Sequence, residues 1–507
     1  MGSWVVEMQA TKSIYKVHPF ISNINKTAYQ PRVVSFGPYH HGEPQLAWME
    51  AHKKRVLNRY IHQLGVPQKE IFRLVEKMAQ ELKESYDSLD FKWQDNTKSF
   101  VQLMMLDGCF MLELLDVYKD DNYYSDNDPV FSRHGELYVM PFVRADMLML
   151  ENQLPMSLLL SLKYIRENVK RGQPIGTLDL GSTNIVQSDI EELNKSILFF
   201  LFYDISKYSE MGTCLHVLDL YRKGLLHTHN EDRNAASQSA NEGEGFYPKM
   251  GKCFYQLKLR YQRLVHTQHT PGDAAPQSAN EREGFYPKMG KCFHELELCY
   301  RRLVHTQHTP GDAAPQSSNQ GVRKNKGVGH NVVRPATELH EAGVRFVKSE
   351  SKSLLDITFG EGTLKLPNFM ISDSTESIFL NLIAFERCHN PAGSYITSFV
   401  AFMDCIIDDS LDIKLLSSKG IIDNIIGTDK EAADLFNTMS KGLVLDLNEN
   451  LGQMYTDLIH YCNRRWHKWR ANLTQTYFRN PWAIISVIAA FLLLSLTAVQ
   501  TIFTILN

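Results

Sequence analysis

Residues 96–118 read NTKSFVQLMMLDGCFMLELLDVY, and this pattern predicts a long helix that is buried over most of its surface. The apolar side chains recur at helical spacing, and they include Phe100, Leu103, Met104, Phe110, Met111 and Leu114. A helix that is apolar on several faces belongs inside a large core. The segment therefore indicates a sizeable domain built mainly from helices.

Helical patterns also occur on both sides of this segment. They cover residues 44–64, 67–85, 146–169, 374–389, 395–408, 430–443 and 453–472, with Pro155 expected to end one helix and begin the next. Two extended runs around Gly360-Glu361-Gly362 predict a β-hairpin over 354–367. The expected fold class is mainly α (α-rich α+β): a large helical domain with a small β-hairpin element and one C-terminal transmembrane helix.

The composition limits the class of protein. The chain has 507 residues, of which 43% are hydrophobic and 22% charged, and its net charge is −3. These values exclude a disordered chain and a polytopic membrane protein, and they argue against a dedicated nucleic-acid binder.

The eight cysteines form no CxxC pair, which favours reduced, packed thiols. The N-terminus has neither the basic nor the apolar stretch of a signal peptide, so none is expected.

The C-terminal segment Trp482–Leu506 reads WAIISVIAAFLLLSLTAVQTIFTIL and contains no charged residue. As a helix it would be about 37 Å long, enough to cross a hydrocarbon core of about 30 Å. A buried core helix is the alternative, but such helices are rarely apolar all round over this length. The sequence therefore predicts one membrane span that contacts the lipid bilayer.

The charges that flank this segment predict its orientation. Arg464, Arg465, Lys468 and Arg470 precede it, and no charged residue follows it. Basic residues favour the cytosolic side of a membrane and attract anionic headgroups. We therefore expect a single-pass, tail-anchored protein whose N-terminal bulk is cytosolic, at the plasma membrane or an endomembrane.

The middle of the chain is a tandem repeat with a period of 39 residues. Residues 246–284 and 285–323 are identical at 29 of 39 positions, and a diverged third copy precedes them. Each copy has one helical stretch and a long polar linker, which favours a surface insertion over a solenoid. The predicted divisions are 14–206 and 324–472 for the two parts of the helical domain, 207–323 for the repeats and 482–506 for the span.

Pairs of histidines in the repeats have the spacing of metal ligands, namely His266 with His269 and His305 with His308. No carboxylate or cysteine accompanies them, so solvated loop histidines are favoured over a zinc site. A search for phosphate-binding, dinucleotide-binding and hydrolase motifs finds none. We therefore expect no catalytic, cofactor-binding or metal-binding residues and no enzyme activity.

Two groups of residues remain as an alternative, hydrolase-like site. His40 and His41 lie in a polar loop, while Asp107 and Glu113 flank Cys109. The apolar surroundings of Cys109 would raise its thiol pKa, which disfavours a nucleophile, and a structural loop is favoured for the histidines.

Two further carboxylates interrupt apolar helices. Glu151 and Glu386 are predicted to be buried, and to be structural if arginine or backbone N–H groups face them.

Several ordered motifs together resemble the plant "domain of unknown function 247" family. They are VVSFGPYHHG (33–42), LDGCFMLE (106–113), LENQLP (150–155), NLIAFE (381–386) and YFRNPWA (477–483), and the resemblance covers about residues 14–504. It implies a plant protein with a helical domain, one C-terminal span and no established catalytic residues. Some grass members are tied to pollen–pistil self-incompatibility, which implies recognition or signalling.

The chain departs from the family pattern at two places. His18-Pro19 stands where the family usually has Val-Pro, and the extra repeat copies lengthen a segment that the family normally has once.

The sequence thus predicts a non-catalytic, membrane-anchored plant protein that acts as a recognition or signalling module with a protein partner and without nucleic acid. The alternative is an enzyme with a site at His40 and His41 or at Asp107, Cys109 and Glu113.

Overall fold

The computed structural model describes residues 12–116, 124–180, 186–202, 211–227, 333–351, 353–443, 449–463 and 481–506. Contacts divide the chain into one unit of residues 1–242 and 331–507 and a second unit of residues 243–330. The second unit, with the two near-identical repeats and their histidine pairs, lies outside the described residues. The predicted domain boundaries stay predictions.

The described chain is mainly helical, which confirms the expected class. The α-helices are α1 Pro19–Ser22, α2 Ala47–Leu64, α3 Gln68–Lys77, α4 Ala79–Glu84, α5 Phe91–Gln94, α6 Thr97–Asp116, α7 Arg133–Tyr138, α8 Met140–Asp146, α9 Met156–Lys170, α10 Gln187–Phe202, α11 Val217–Leu226, α12 Ala336–Glu341, α13 Thr375–Cys388, α14 Tyr395–Ile406, α15 Ser410–Ser418, α16 Asp429–Met439, α17 Glu449–Asn463 and α18 Pro481–Leu506. Short 3₁₀ helices occupy Lys26–Tyr29, Pro44–Leu46, Ile175–Thr177 and Asn390–Ala392.

Helix α6 is the centre of the N-terminal half, as its apolar pattern predicts. Nearly every side chain from Phe100 to Leu115 is buried, and the helix packs against α2, α3 and α9. Gly108 allows the close approach of α9, because a Cβ atom there would lie 2.5 Å from Leu162 Cδ1. The all-round apolar character of α6 therefore reflects neighbours on several sides.

The hydrophobic core continues into the C-terminal half. Helix α13 packs against Lys26–Tyr29 and against α14. Asn381 of α13 donates to Ala28 O at 2.8 Å and accepts from Leu150 N at 2.8 Å. One buried amide therefore joins three segments that are distant in the sequence.

The strands form two small sheets. Strand β2 (Thr358–Gly360) pairs antiparallel with β3 (Thr363–Leu366), which confirms the predicted hairpin, and β1 (Arg345–Lys348) pairs parallel with β3. Strand β4 (Phe369–Ile371) pairs parallel with β5 (Ile422–Asn424). The sequence did not predict β1, β4 or β5, because strands of three or four residues are too short to show a period.

The prediction of helix from residue 146 onward is wrong for residues 147–155. Helix α8 ends at Asp146, and α9 begins only at Met156, with Pro155 at its N-cap. The intervening backbone instead forms hydrogen bonds with buried amide side chains, which compete with helix formation.

Residues of the predicted membrane span do form a helix, α18, whose side chains are described at 485, 486 and 489–501. Over the described residues, none of the helices combines the length and the apolar character that crossing a membrane requires. The expectation of a transmembrane helix therefore has no support from the structure.

Candidate functional site

The loop that contains His40 and His41 is reached by an extended segment whose N–H groups bind side chains. Arg32, Val33 and Val34 donate their N–H groups to the Asp146 carboxylate over 2.8–3.1 Å. Further along, Gly37 N donates to Asp107 Oδ2 at 2.8 Å. Since this segment joins no sheet, buried carboxylates satisfy its backbone.

Two amides between α8 and α9 complete this arrangement. Asn152 accepts from Phe36 N and donates to Val34 O. Gln153 Nε2 donates to Met147 O at 2.6 Å and to Met149 O at 2.8 Å, while its Oε1 accepts from Leu218 N. Both amides are at most 1% exposed. These two motif residues therefore hold irregular backbone in place.

Lys53 of α2 is fully buried. It is the positive centre of a group of contacting residues, the Lys53 cluster, that also contains Glu50, Asp107 and Ser35. Its Nζ lies 2.7 Å from Asp107 Oδ1 and 2.6 Å from Glu50 Oε1, and it donates to Ser35 O at 2.5 Å. Burial raises the pKa of Asp107 to about 6, and the Lys53 ammonium acts in the opposite direction. The buried Lys53 ammonium thus contacts two carboxylates, and these ionic contacts join α2, α6 and the loop.

The two adjacent histidines contact different carboxylates. His40 Nδ1 lies 2.7 Å from Glu43 Oε1, and its Nε2 lies 3.6 Å from Glu151 Oε2. The His41 Nδ1 atom is 4.0 Å from Glu50 Oε2, and burial lowers the pKa of His41. His40 Nε2 and His41 Nδ1 are buried and have no hydrogen-bond partner within the described part of the chain, so the structural interpretation of this loop stays a prediction.

The structure does not bring Asp107, Cys109 and Glu113 together. Residues 107 and 109 are about 200° apart around a helix, so their side chains leave α6 in different directions. Burial raises the pKa of the Cys109 thiol, and Glu113 accepts a hydrogen bond from Tyr124 Oη. Asp107 instead binds Lys53 and Gly37, so the placement of these residues gives no support to the alternative, hydrolase-like site.

Glu386 is a buried carboxylate with structural partners, which confirms the prediction. It accepts from Ile396 N and Thr397 N at 2.9 Å each, at the first turn of α14, and its Oε1 is 3.3 Å from Arg222 Nε. The negative charge also complements the helix N-terminus. Glu151 accepts from Val17 N at 2.6 Å, but its side chain is 19% exposed, so it is half-buried where the sequence predicted burial.

Sequence reasoning missed His216, which is fully buried at the N-cap of α11. Its Nδ1 accepts from Asp219 N at 3.2 Å, so its Nε2 carries the proton and donates to Ser13 O at 3.0 Å. Burial lowers the pKa of His216 to about 4. Histidine is an uncommon N-cap residue, so the sequence held no signal for this role.

Among the described residues, no three histidine, cysteine, aspartate or glutamate side chains are placed to hold a metal ion. The predictions of no metal, cofactor or catalytic residues remain predictions.

Helix α18 presents large apolar side chains to its surroundings. Ile485, Phe491, Leu492, Leu493, Leu494, Leu496 and Val499 are all more than half exposed. Its hydroxyls are satisfied within the helix, because Ser495, Thr497 and Thr501 donate to the carbonyl four residues earlier over 2.7–2.8 Å. The described surface of α18 is therefore apolar with few free polar groups.

Comparisons with known proteins place the chain in a family. The model of the DUF247 family, described as "plant protein of unknown function", matches residues 14–496. UPF0481 protein At3g47200 of Arabidopsis thaliana is 25% identical, and the alignment covers 97% of this chain and 86% of that protein. Putative UPF0481 protein At3g02645 of the same plant is 24% identical, with 97% and 90% covered. No solved structure matches at a significant level. The chain belongs to the DUF247 family of plant proteins of unknown function.

Proposed function

We propose that this chain is a non-catalytic, membrane-anchored recognition or signalling protein. Its C-terminal segment, Trp482–Leu506, would hold a helical domain at a lipid bilayer, and the domain would bind a protein partner.

The observation that carries the proposal is the apolar surface of α18. Its described large apolar side chains are exposed, and the sequence from 482 to 506 contains no charge. Each such side chain gains about 1.5–3 kcal/mol when it leaves water, so a lipid environment is strongly favoured for the set. The internally bonded hydroxyls make that transfer less costly.

Orientation follows from charges that precede the apolar segment. Arg464, Arg465, Lys468 and Arg470 lie on its N-terminal side in the sequence. Basic residues near a span stay cytosolic and attract anionic headgroups at about 1 kcal/mol each. The domain would therefore face the cytosol.

The contacts and burial of the charged residues and of Cys109 support the proposal that the protein has no catalytic role. Asp107, Lys53 and Asp146 bind one another or backbone groups, and Cys109 is a buried thiol whose pKa burial raises. Buried groups that bind one another or the backbone in this way stabilise a fold, which supports a structural role for Asp107 and Cys109. A family of unknown function is consistent with such a module.

Proximity labelling in living plant cells tests the proposal. We would compare the full chain, a chain that ends at Pro481, and residues 471–507 fused to a fluorescent protein. The full chain should label both membrane proteins and a specific partner set, whereas the tail fusion should label only the membrane proteins. Identical labelling by the full chain and the truncated chain would contradict anchoring, and identical labelling by the full chain and the tail fusion would contradict recognition by the domain.

Protease protection on isolated vesicles tests the orientation. A tag at the N-terminus should be digested without detergent, because the domain is expected in the cytosol. Protection of the tag until detergent is added would contradict that orientation.

A further inference from the structure

A cleft of about 300 Å³ lies between α11, the start of α14 and the turn that precedes β2. Its size is at the lower end for small-molecule sites. None of its described lining residues belongs to α2, α6 or α18, and nothing in the proposed function uses it.

Three basic side chains line the cleft: Arg222, Lys223 and His227. Arg222 is 6% exposed, its Nε atom is 3.3 Å from Glu386 Oε1, and one Nη2 hydrogen bond goes to Ala392 O. Its Nη1 atom has no hydrogen-bond acceptor among the described residues. A buried guanidinium thus brings unused donors to the cleft.

Carboxylates are absent from the described lining of this cleft, although two stand behind it. Glu386 pairs with Arg222, and Asp219 Oδ2 lies 3.1 Å from Lys223 Nζ. Their side chains are only 1% and 5% exposed, respectively. Lys223 Nζ also donates to Thr213 O at 2.8 Å, so both cations are held by protein acceptors on one side. Neither of the two paired carboxylates belongs to the described lining of the cleft, which Arg222 and Lys223 do line.

The rest of the lining is apolar or aromatic. Met211, Leu226, Leu355 and Tyr395 contribute to it. Leu355 and Tyr395 are also among the exposed large hydrophobic side chains of the described chain, at 40% and 42% exposure. A few fixed polar groups within an apolar wall are typical of a site for a small organic ligand.

We propose that this cleft binds a small organic carboxylate, with the acid group on Arg222 and Lys223 and an apolar group against Leu355 and Tyr395. Arginine suits this role because its planar N–H groups match the geometry of a carboxylate. The site is independent of membrane attachment, because all of its residues lie between 211 and 395.

Equilibrium dialysis of the full chain in phosphatidylcholine vesicles tests the site, with empty vesicles as background. Radiolabelled phenylacetate supplies both an acid and a ring, phenylacetamide lacks the charge, and acetate lacks the ring. Phenylacetate should bind saturably with a Kd of roughly 1 mM or tighter. Both comparison compounds should bind at least tenfold more weakly.

Matched variants identify the place of binding. Leu355→Asp adds a carboxylate to the cleft wall and should weaken phenylacetate binding at least tenfold, and Lys223→Gln should weaken it severalfold. Leu411→Asp changes an exposed leucine of α15, outside the cleft, and should leave binding unchanged. Circular dichroism of each variant checks that it is folded.

Three results would overturn the proposal. They are no saturable phenylacetate binding up to 10 mM, equal binding of phenylacetate and phenylacetamide, and a folded Leu355→Asp chain that binds as the wild type does.

Discussion

At the residue scale, the motif residues around the loop of His40 and His41 make buried contacts that stabilise the fold. Lys53 and Asp107 are both fully buried, and their charged atoms are 2.7 Å apart. Gly37 depends on the same carboxylate for its N–H group. Removing one partner of a buried ion pair leaves an uncompensated charge, which usually costs more than the pair contributes.

We therefore expect Lys53→Met to lower the free energy of unfolding by about 3–5 kcal/mol. The double variant Lys53→Met/Asp107→Asn should recover part of that loss, because asparagine still accepts from Gly37 N but carries no charge. Lys54→Met, at an exposed neighbouring lysine, is the control and should change stability by less than about 0.5 kcal/mol. Urea unfolding measures all three. A Lys53→Met chain as stable as the Lys54→Met chain would show that the buried pair is not structural.

His216 makes stability depend on pH. The unfolded pKa of histidine is about 6.5, and the folded pKa of His216 is about 4. Between these values the unfolded chain holds the extra proton, so this contribution is present above pH 6.5 and is lost as the pH falls towards 4. Its full size is about 3 kcal/mol.

His216→Asn keeps an N-cap side chain but does not titrate. We expect the stability difference between wild type and variant to shrink by about 2–3 kcal/mol from pH 7 to pH 4. Asp146, whose pKa burial raises to about 6, has the opposite pH dependence, but it is present in both chains and cancels. Urea unfolding at pH 4, 5, 6 and 7 gives the comparison. A difference that stays constant over this range would mean that His216 titrates alike in both states.

At the element scale, buried side chains from one helix bind the first turn of another. Asp412 of α15 accepts from Thr337 N at 2.8 Å and Oγ1 at 2.9 Å, at the start of α12. It also accepts from Asp408 N and Asp409 N, which precede α15. One carboxylate thus satisfies the N–H groups of two helix ends, where no intrahelical acceptor exists.

We expect Asp412→Ala to lower the free energy of unfolding by about 1–3 kcal/mol, because the half-buried N–H groups at the starts of α12 and α15 lose their acceptor. Asp434→Ala, at an exposed position of α16, is the matched control and should cost less than about 0.5 kcal/mol. Thermal unfolding monitored by circular dichroism reports both. Equal midpoints for the two variants would contradict the capping role of Asp412.

At the scale of the whole molecule, the sequence was informative where one segment determines its own structure. The apolar pattern of α6 predicted its burial, and Gly360-Glu361-Gly362 predicted the hairpin. It was uninformative where partners are distant: Lys53 lies in a basic run on α2, and nothing local distinguishes it from an exposed lysine. Arg222 and His216 were missed for the same reason, since both act through segments far away in the chain.

The central proposal is that the apolar C-terminal segment attaches the protein to a membrane. Extraction of plant microsomes with alkaline carbonate tests it most directly, because carbonate releases peripheral proteins and leaves lipid-embedded ones. The variant Leu493→Arg/Leu494→Arg places two charges at exposed positions of α18, at a cost of about 2.5–3.5 kcal/mol each in lipid. The account predicts that the wild-type chain stays in the membrane pellet, while the double variant and the chain that ends at Pro481 are released. Release of the intact wild-type chain into the carbonate supernatant would contradict it.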